Sequence, residues 1–323
     1  MVQRALVTGG AGFIGSHLVD RLIDEMWEVD LVDNLMSGHS EFINASLKSE
    51  HVIIDDFSSE QVLSRIKAGN YDYVFHLAAV PRVSYSVEYP LVSHETNVTK
   101  SLQLIQACKR NIKRFIFASS SSVYGGADVL PTSEFYPKNP KSPYALQKSI
   151  IEDYLFQYWY HYGLESVPLR FFNVFGPRQL GGSPYSTAVS SWLTSIKKGE
   201  SMRSDGDGSQ SRDVCYVDNV VDACYKAATV EGTMKANPYN VACGDKTTNL
   251  EILQYLQKRY PAAEFHSSPW RLGDVMHTQA DLTLSSKMIG YEPLVRFWEG
   301  LERTIQWYES NWDVVKNYES KKC

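Results

Sequence analysis

Tyr144 and Lys148 lie four residues apart in Tyr144-Ala145-Leu146-Gln147-Lys148, a spacing that puts both side chains on one face of a helix. An ammonium beside a phenol favours the phenolate, so Lys148 is expected to lower the Tyr144 pKa and make it a base for a hydroxyl proton near neutrality. The same spacing occurs by chance on surface helices, so its meaning depends on what precedes it. Upstream, Ala118-Ser119-Ser120-Ser121-Ser122-Val123-Tyr124-Gly125 closes an apolar segment. If that segment is a strand, its hydroxyls emerge at the sheet edge, where one can hydrogen-bond a reacting oxygen.

Near the start of the chain, Gly9, Gly12 and Gly15 stand between the apolar run Ala5-Leu6-Val7-Thr8 and the helix-patterned Ser16–Ile23. Glycines at a strand-to-helix turn let backbone N–H groups approach a pyrophosphate at the helix N-terminus. Asp33 follows the second apolar run, where a carboxylate accepts both hydroxyls of an adenosine ribose and repels a 2′-phosphate. NAD rather than NADP is the expected dinucleotide, and its nicotinamide charge would assist Lys148 in activating Tyr144. Asp56, after the third run, is a candidate adenine contact.

These residues need a frame. Val29–Val32, Val52–Ile54, Tyr73–Leu77, Arg114–Ala118 and Ser166–Phe171 read as further strands. They alternate with helices over about 59–68, 98–110 and 143–162, which predicts an α/β fold with a Rossmann-type, doubly wound parallel sheet. Residues 1–172, with about 213–242, are expected to form the dinucleotide-binding domain. The less regular 173–323 mainly forms a smaller, interwoven substrate-binding subdomain. The 323 residues suffice for one such unit, and 43% hydrophobic with 21% charged residues describes a chain that folds. A net charge of −5 with scattered Lys and Arg gives no nucleic-acid face. Cys108, Cys215, Cys224, Cys243 and Cys323 have neither metal-ligand spacing nor an even count, so no metal and a reducing cytoplasm are expected. No apolar run reaches the ~18 residues of a membrane helix, and no signal-peptide pattern opens the sequence.

Taken together, Thr8–Gly15, His76-Leu77-Ala78-Ala79, Asn97, the serine run, Tyr144 with Lys148, and Arg170–Gly176 resemble the extended short-chain dehydrogenase/reductases over nearly the whole chain. Val80-Pro81-Arg82, Gly206–Asp213 and Arg271–Thr278 are most similar to the bacterial UDP-N-acetylglucosamine 4-epimerases. The resemblance adds Phe13, Ile14, Asn34, Leu77, Ala78, Ala79, Asn97, Phe171 and the Tyr144–Lys148 pair to the expected cofactor contacts. It makes Ser120 the catalytic serine beside Tyr144 and places Ser121 and Ser122 in the sugar pocket. Asn173, Arg212, Arg271 and Asp274 are expected to hold the UDP moiety. Arg82 is a candidate for a sugar carboxylate. At the position of Thr278, epimerases confined to non-acetylated sugars carry a bulky tyrosine, so room for an N-acetyl group is expected here.

The resemblance implies NAD-dependent 4-epimerisation of a UDP-hexose, by oxidation at C4, rotation of the 4-keto sugar and re-reduction. A 4,6-dehydratase or uronate decarboxylase shares the oxidation but needs acidic residues where Ser121 and Ser122 stand. A dinucleotide-sensing regulator would have no use for Tyr144, Lys148 and Ser120 together. Tyr154, Phe156, Tyr158, Trp159, Tyr160 and Tyr162 make the second half of helix 143–162 aromatic on several faces. Such a helix is buried in the core or against a partner, and the resemblance favours a homodimer.

Overall fold

The structure, a computed structural model, describes residues 2–181, 187–270 and 275–320. The short apolar runs form parallel strands whose side chains are buried on both faces, as a sheet covered by helices on each side requires. β1 (Arg4–Thr8), β2 (Glu28–Asp33), β3 (Val52–Ile54), β4 (Tyr73–His76), β5 (Arg114–Ser120) and β6 (Ser166–Phe171) are joined by a seventh strand, Tyr239–Val241. The sheet order is Tyr239–Val241, β6, β5, β4, β1, β2, β3, and every pairing is parallel. All carboxyl ends therefore lie along one edge. The order reverses between β1 and β4, opening the crevice where doubly wound sheets bind ligands.

α1 (Phe13–Asp24) follows β1 and α2 (Glu60–Lys67) follows β3. After β4 come α3 (Val83–Glu88), α4 (Pro90–His94), a wider π-turned stretch Glu95–Lys100, and α5 (Ser101–Cys108). The predicted helix over 98–110 is thus shorter and shares its start with the π stretch. α6 (Pro143–Tyr162) starts where the Ser142 hydroxyl accepts from the Ala145 N–H, with Pro143 in the first turn. It stops at Gly163, whose φ of +71° takes the chain out of the helix.

One apolar cluster packs α1, the helix Val217–Thr229 and C-terminal segments on one sheet face; another packs α2, α5 and α6 on the other. The Tyr239–Val241 strand lies against β6, so the chain returns to the sheet well after leaving it. Among the described residues no helix is long and apolar enough to cross a membrane, and no cluster of ligating side chains could hold a metal ion.

α6 is fastened to the sheet by a buried fork. Arg170 on β6 donates from Nε to Glu152 Oε1 at 2.9 Å and from Nη2 to Oε2 at 2.7 Å. Ser119 Oγ adds a third bond to Glu152 at 2.6 Å, while Arg170 Nη1 reaches the Tyr124 hydroxyl at 3.0 Å and the Glu134 carbonyl at 3.2 Å. The pair's side chains are only 3% and 4% exposed. Breaking such a pair strands a buried charge and costs about 3–5 kcal/mol, whereas removing both partners together costs much less. Arg170→Met should therefore lower the denaturation midpoint sharply, with Glu152→Gln/Arg170→Met falling between it and wild type; equal midpoints for Arg170→Met and wild type in urea titrations would refute this.

Candidate active site

A groove of about 350 Å³ runs along the carboxyl edge of the sheet. Its floor is the turn after β1. Gly9, at φ +70°, lies so close to the backbone after β4 that a Cβ would come 2.9 Å from Ala78 N. A Cβ on Gly15 would fall 2.0 Å from Gly9 O, so the first turn of α1 can sit on the loop only without side chains. The first turn of α1 carries no acidic residue, leaving its N-terminus free for an anion.

Asp33 closes one end. Its carboxylate accepts from Ala11 N at 3.1 Å and Leu35 N at 2.8 Å. Burial raises its pKa and these two amides oppose the rise. Asp33, Asn34 and Asp56 line the groove with Gly9, Gly12, Phe13, Ile14, Gly15, Leu77, Ala78 and Ala79. Asp56 is also paired: its carboxylate takes Lys100 Nζ at 2.7 Å and Ser58 Oγ at 2.7 Å. Burial pushes Asp56 up, but Lys100 and Ser58 outweigh it and leave the group below its ordinary value.

Four expected contacts, Asn97, Phe171, Tyr144 and Lys148, are not among the residues that line the groove. Asn97 is buried and clamps the segment after β4, with Oδ1 accepting from Val80 N at 2.7 Å and Nδ2 donating to Val80 O at 3.0 Å and to Gln147 Oε1 at 2.8 Å. Phe171 ends β6 opposite Ser120 and packs in the core. His76 is held between Thr8 Oγ1 and Ser101 Oγ at 2.7 and 2.8 Å. Burial, then the Lys148 charge, lowers its pKa to about 3, so it stays neutral and orients the strand end.

Ser120 is the last residue of β5, and the tight turn Ser121–Tyr124 follows it. Its hydroxyl accepts from Ser122 N at 3.2 Å and Ser122 Oγ at 2.9 Å. Tyr144, half-buried in the first turn of α6, lies beside Ser120; burial pushes the phenol up to about 12 and the Ser120 hydroxyl draws it down. Lys148 Nζ donates to Ala118 O at 2.7 Å and lies 5.8 Å from the Tyr144 ring centroid. Burial lowers Lys148 to about 7, opposed by the Glu152 charge. The lowering of Tyr144 expected from Lys148 together with the nicotinamide charge is not present in the chain by itself. Desolvation dominates both groups there, and a positive charge brought to the groove is needed to favour the phenolate.

At the other end, Asn173 Nδ2 donates to Asp213 O at 3.3 Å and lies 3.5 Å from Thr278 Oγ1. Thr278 Oγ1 accepts from Asp213 N at 3.2 Å. Arg212 Nη1 reaches the Ser211 and Met276 carbonyls, each at 3.1 Å. Beneath them the buried Asp213 carboxylate accepts from the amides of Cys243, Gly244 and Ala280 at 2.8, 3.0 and 3.0 Å. Burial raises it to about 7 against those bonds. Asn173, Arg212 and Thr278 are thus brought together, whereas Arg82 stands exposed at the start of α3. Arg271 and Asp274 lie outside the described residues. Sequence reasoning missed Ser37, His39, Thr96, Lys100, Arg178, Gln179 and Leu180, which also line the groove. Of these, Arg178 had a visible cue, since it follows Gly176-Pro177 directly after the segment already noted.

A glycine cradle at a helix N-terminus, a carboxylate at the ribose end and a serine–tyrosine–lysine set at the next strand edge fit a dinucleotide-dependent oxidoreductive site. Residues 5–242 match the NAD dependent epimerase/dehydratase family. The chain belongs to that family. The UDP-glucose 4-epimerase of Mycolicibacterium smegmatis is 34% identical over 317 residues, covering 95% of this chain and 99% of its own. The UDP-N-acetylglucosamine 4-epimerase of Methanobrevibacter ruminantium, solved with UDP-N-acetylmuramic acid, superposes with a TM-score of 0.89 at 38% identity, over 96% of this chain and 99% of that one. The Thermus thermophilus UDP-glucose 4-epimerase, solved with NAD, gives a TM-score of 0.84 at 31% identity, over 96% and 100%. This family member is an NAD-dependent enzyme of the sugar-nucleotide epimerase/dehydratase class.

Tyr144→Phe removes one oxygen and leaves the packing of α6 in place. It is expected to abolish turnover of a UDP-sugar while thermal melting and NAD content stay at wild-type values. A kcat close to wild type would show that another group moves the proton.

Proposed function

We propose that the enzyme interconverts the C4 epimers of a UDP-hexose, and that UDP-N-acetylglucosamine and UDP-N-acetylgalactosamine are its substrates. The observation that carries this reading is the Tyr144 phenol set beside Ser120 at the edge of β5, flanked by Ser121 and Ser122 rather than by carboxyls. Epimerisation needs one proton acceptor and hydroxyl donors around the sugar; elimination of water from C5 and C6 needs an acid and a base there. The similarity to a UDP-N-acetylglucosamine 4-epimerase supports the same reading.

Bound NAD, held by the glycine turn and Asp33, would supply reversible hydride chemistry at C4. Tyr144 takes the 4-hydroxyl proton and gives it back to the same oxygen once the keto sugar has turned. Ser120 bonds the same oxygen and holds it against Tyr144. Lys148, fixed on Ala118 O, contributes its charge to stabilising the phenolate. Asn173 and Arg212 hold the nucleotide while the sugar rotates, with Arg271 and Asp274 assigned to the same task.

Thr278 sets the room for rotation. Its hydroxyl is engaged by Asp213 N, so a short side chain is all it presents to the pocket. A tyrosine there would overlap an acetamido group, and overpacking of about 1–3 kcal/mol corresponds to roughly ten- to hundredfold in rate. Incubation with UDP-N-acetylglucosamine, followed by NMR, should give the galacto epimer. A 4-keto-6-deoxy or decarboxylated product, or no product, would overturn the assignment. Thr278→Tyr should lose the acetylated pair and keep UDP-glucose/UDP-galactose exchange; equal loss of both would remove Thr278 from this role.

The reading includes a homodimer. Along α6 the residues Tyr154, Phe156, Tyr160 and Tyr162 are exposed, as are Val87, Leu91 and Val92 on α3 and α4, which pack against α6. Leu91 is 84% and Tyr160 69% exposed. Core burial within one subunit is therefore not where these aromatics go, and an apolar face of this kind calls for a partner. Sedimentation should show a dimer that Leu91→Asp dissociates. A monomeric wild type would dispose of the idea.

A further inference from the structure

Among the described residues lining the groove, the lysines and arginines are Lys100 and Arg178. Lys100 is committed to Asp56 at 2.7 Å, at the Asp33 end. The glycine turn therefore offers a diphosphate only backbone N–H groups, unless Arg178 serves it. Arg178 has an unusual setting. Its φ of +64° is left-handed, a region few arginines occupy and one that clusters at functional positions. Its Nη2 is tied to Asp20 Oδ2 on α1 at 2.7 Å, and Asp20 Oδ1 is itself held by Asn44 Nδ2 at 2.7 Å. Its Nη1 is buried without a hydrogen-bond partner. The neighbouring His17, bonded to Pro177 O at 3.0 Å, is lowered to about 4 by burial and then by Arg178, so it brings no second cation.

An unpartnered buried N–H on a charged group carries a desolvation cost that an acceptor would relieve. The guanidinium is planar, is oriented by Asp20, and lines the same groove as Gly12 and Phe13. We propose that Arg178 is a second clamp on the cofactor diphosphate, closing over the dinucleotide from the segment after Val174–Phe175 while the glycine turn holds it from beneath. Asp20 is the positioning residue for that clamp. The arrangement suits a cofactor that is regenerated each turnover and must not leave. It also links cofactor retention to Asn173, five residues before Arg178, at the nucleotide end of the substrate site. The inference concerns NAD only and stands whichever sugar is the substrate.

The test is direct binding to the full chain, independent of turnover. NAD, ADP-ribose and adenosine would each be measured, by retention of NAD through desalting and by competition against bound NAD. Arg178→Gln should weaken NAD and ADP-ribose by roughly ten- to hundredfold, the range for losing a hydrogen bond to a charged group, and leave adenosine unchanged. Because Arg178→Gln also unmasks the Asp20 carboxylate, Asp20→Asn/Arg178→Gln is the deciding variant. It stays weak if Arg178 touches the diphosphate and recovers if the loss came from Asp20 repulsion. Should Arg178→Gln fail to fold, Arg178→Lys keeps the charge but cannot fork, and should still lose NAD affinity severalfold. Unchanged NAD binding, recovery in the double variant, or equal loss of adenosine would each overturn the proposal.

Discussion

The buried fork between Arg170 and Glu152 is the constraint on which the site depends. Glu152 lies one helical turn beyond Lys148 and two beyond Tyr144, so whatever fixes Glu152 fixes the rotation of α6 about its axis. Arg170 is on β6 and Ser119, bonded to the same carboxylate, is on β5. The fork thus sets the height and rotation of a helix relative to two adjacent strand ends, and one of those strands ends in Ser120. A dispersed apolar contact would tolerate a slipped helix. Two parallel N–H···O bonds in a dry interior tolerate very little, and the burial that makes the pair costly to break also makes its geometry specific.

The electrostatics of the catalytic set follow from the same burial. Desolvation raises Tyr144 and lowers Lys148, so the protein disfavours both charged forms when each is considered alone. A phenolate and an ammonium formed together stabilise one another, and a third positive charge over the groove tips the balance further. Glu152 acts twice here, as the anchor of α6 and as a carboxylate that holds Lys148 up. In the proposed mechanism the proton acceptor would thus stay latent until the groove is filled.

Much of this was legible in the sequence because it rests on local rules. Buried parallel strands read as short apolar runs, the glycine turn as a strand-to-helix junction, and the long helix was expected from about residue 143. The positions of Tyr144, Lys148, Ser120 and Asp33 were legible because they follow from distance along one helix or from a strand end. What escaped depends on contacts between distant segments. Asn97, expected at the cofactor, clamps Val80 and is itself held by Gln147 fifty residues away. Phe171 was expected beside the cofactor and packs inward. The aromatic half of α6 looked apolar all round, yet the structure divides it: Trp159 and Tyr158 pack on the core while Tyr154, Phe156, Tyr160 and Tyr162 stay outside. Periodicity could not divide it, because aromatics occupied both faces.

The end proposed to hold the nucleotide was the least legible part, for a related reason. Asn173 and Thr278 meet on the backbone of Asp213, which follows Arg212 and to which none of the motif reasoning assigned a task. Asp213 receives amides from residues 243, 244 and 280, and its own N–H goes to Thr278. Burying a carboxylate is costly, and three amide donors are what make it tolerable. In return, three segments far apart in sequence share one atom group and cannot move independently. The space beside Thr278 is therefore defined by Asp213 as much as by the side chain at 278. Replacing Thr278 changes volume, whereas loosening Asp213 would change where that volume lies.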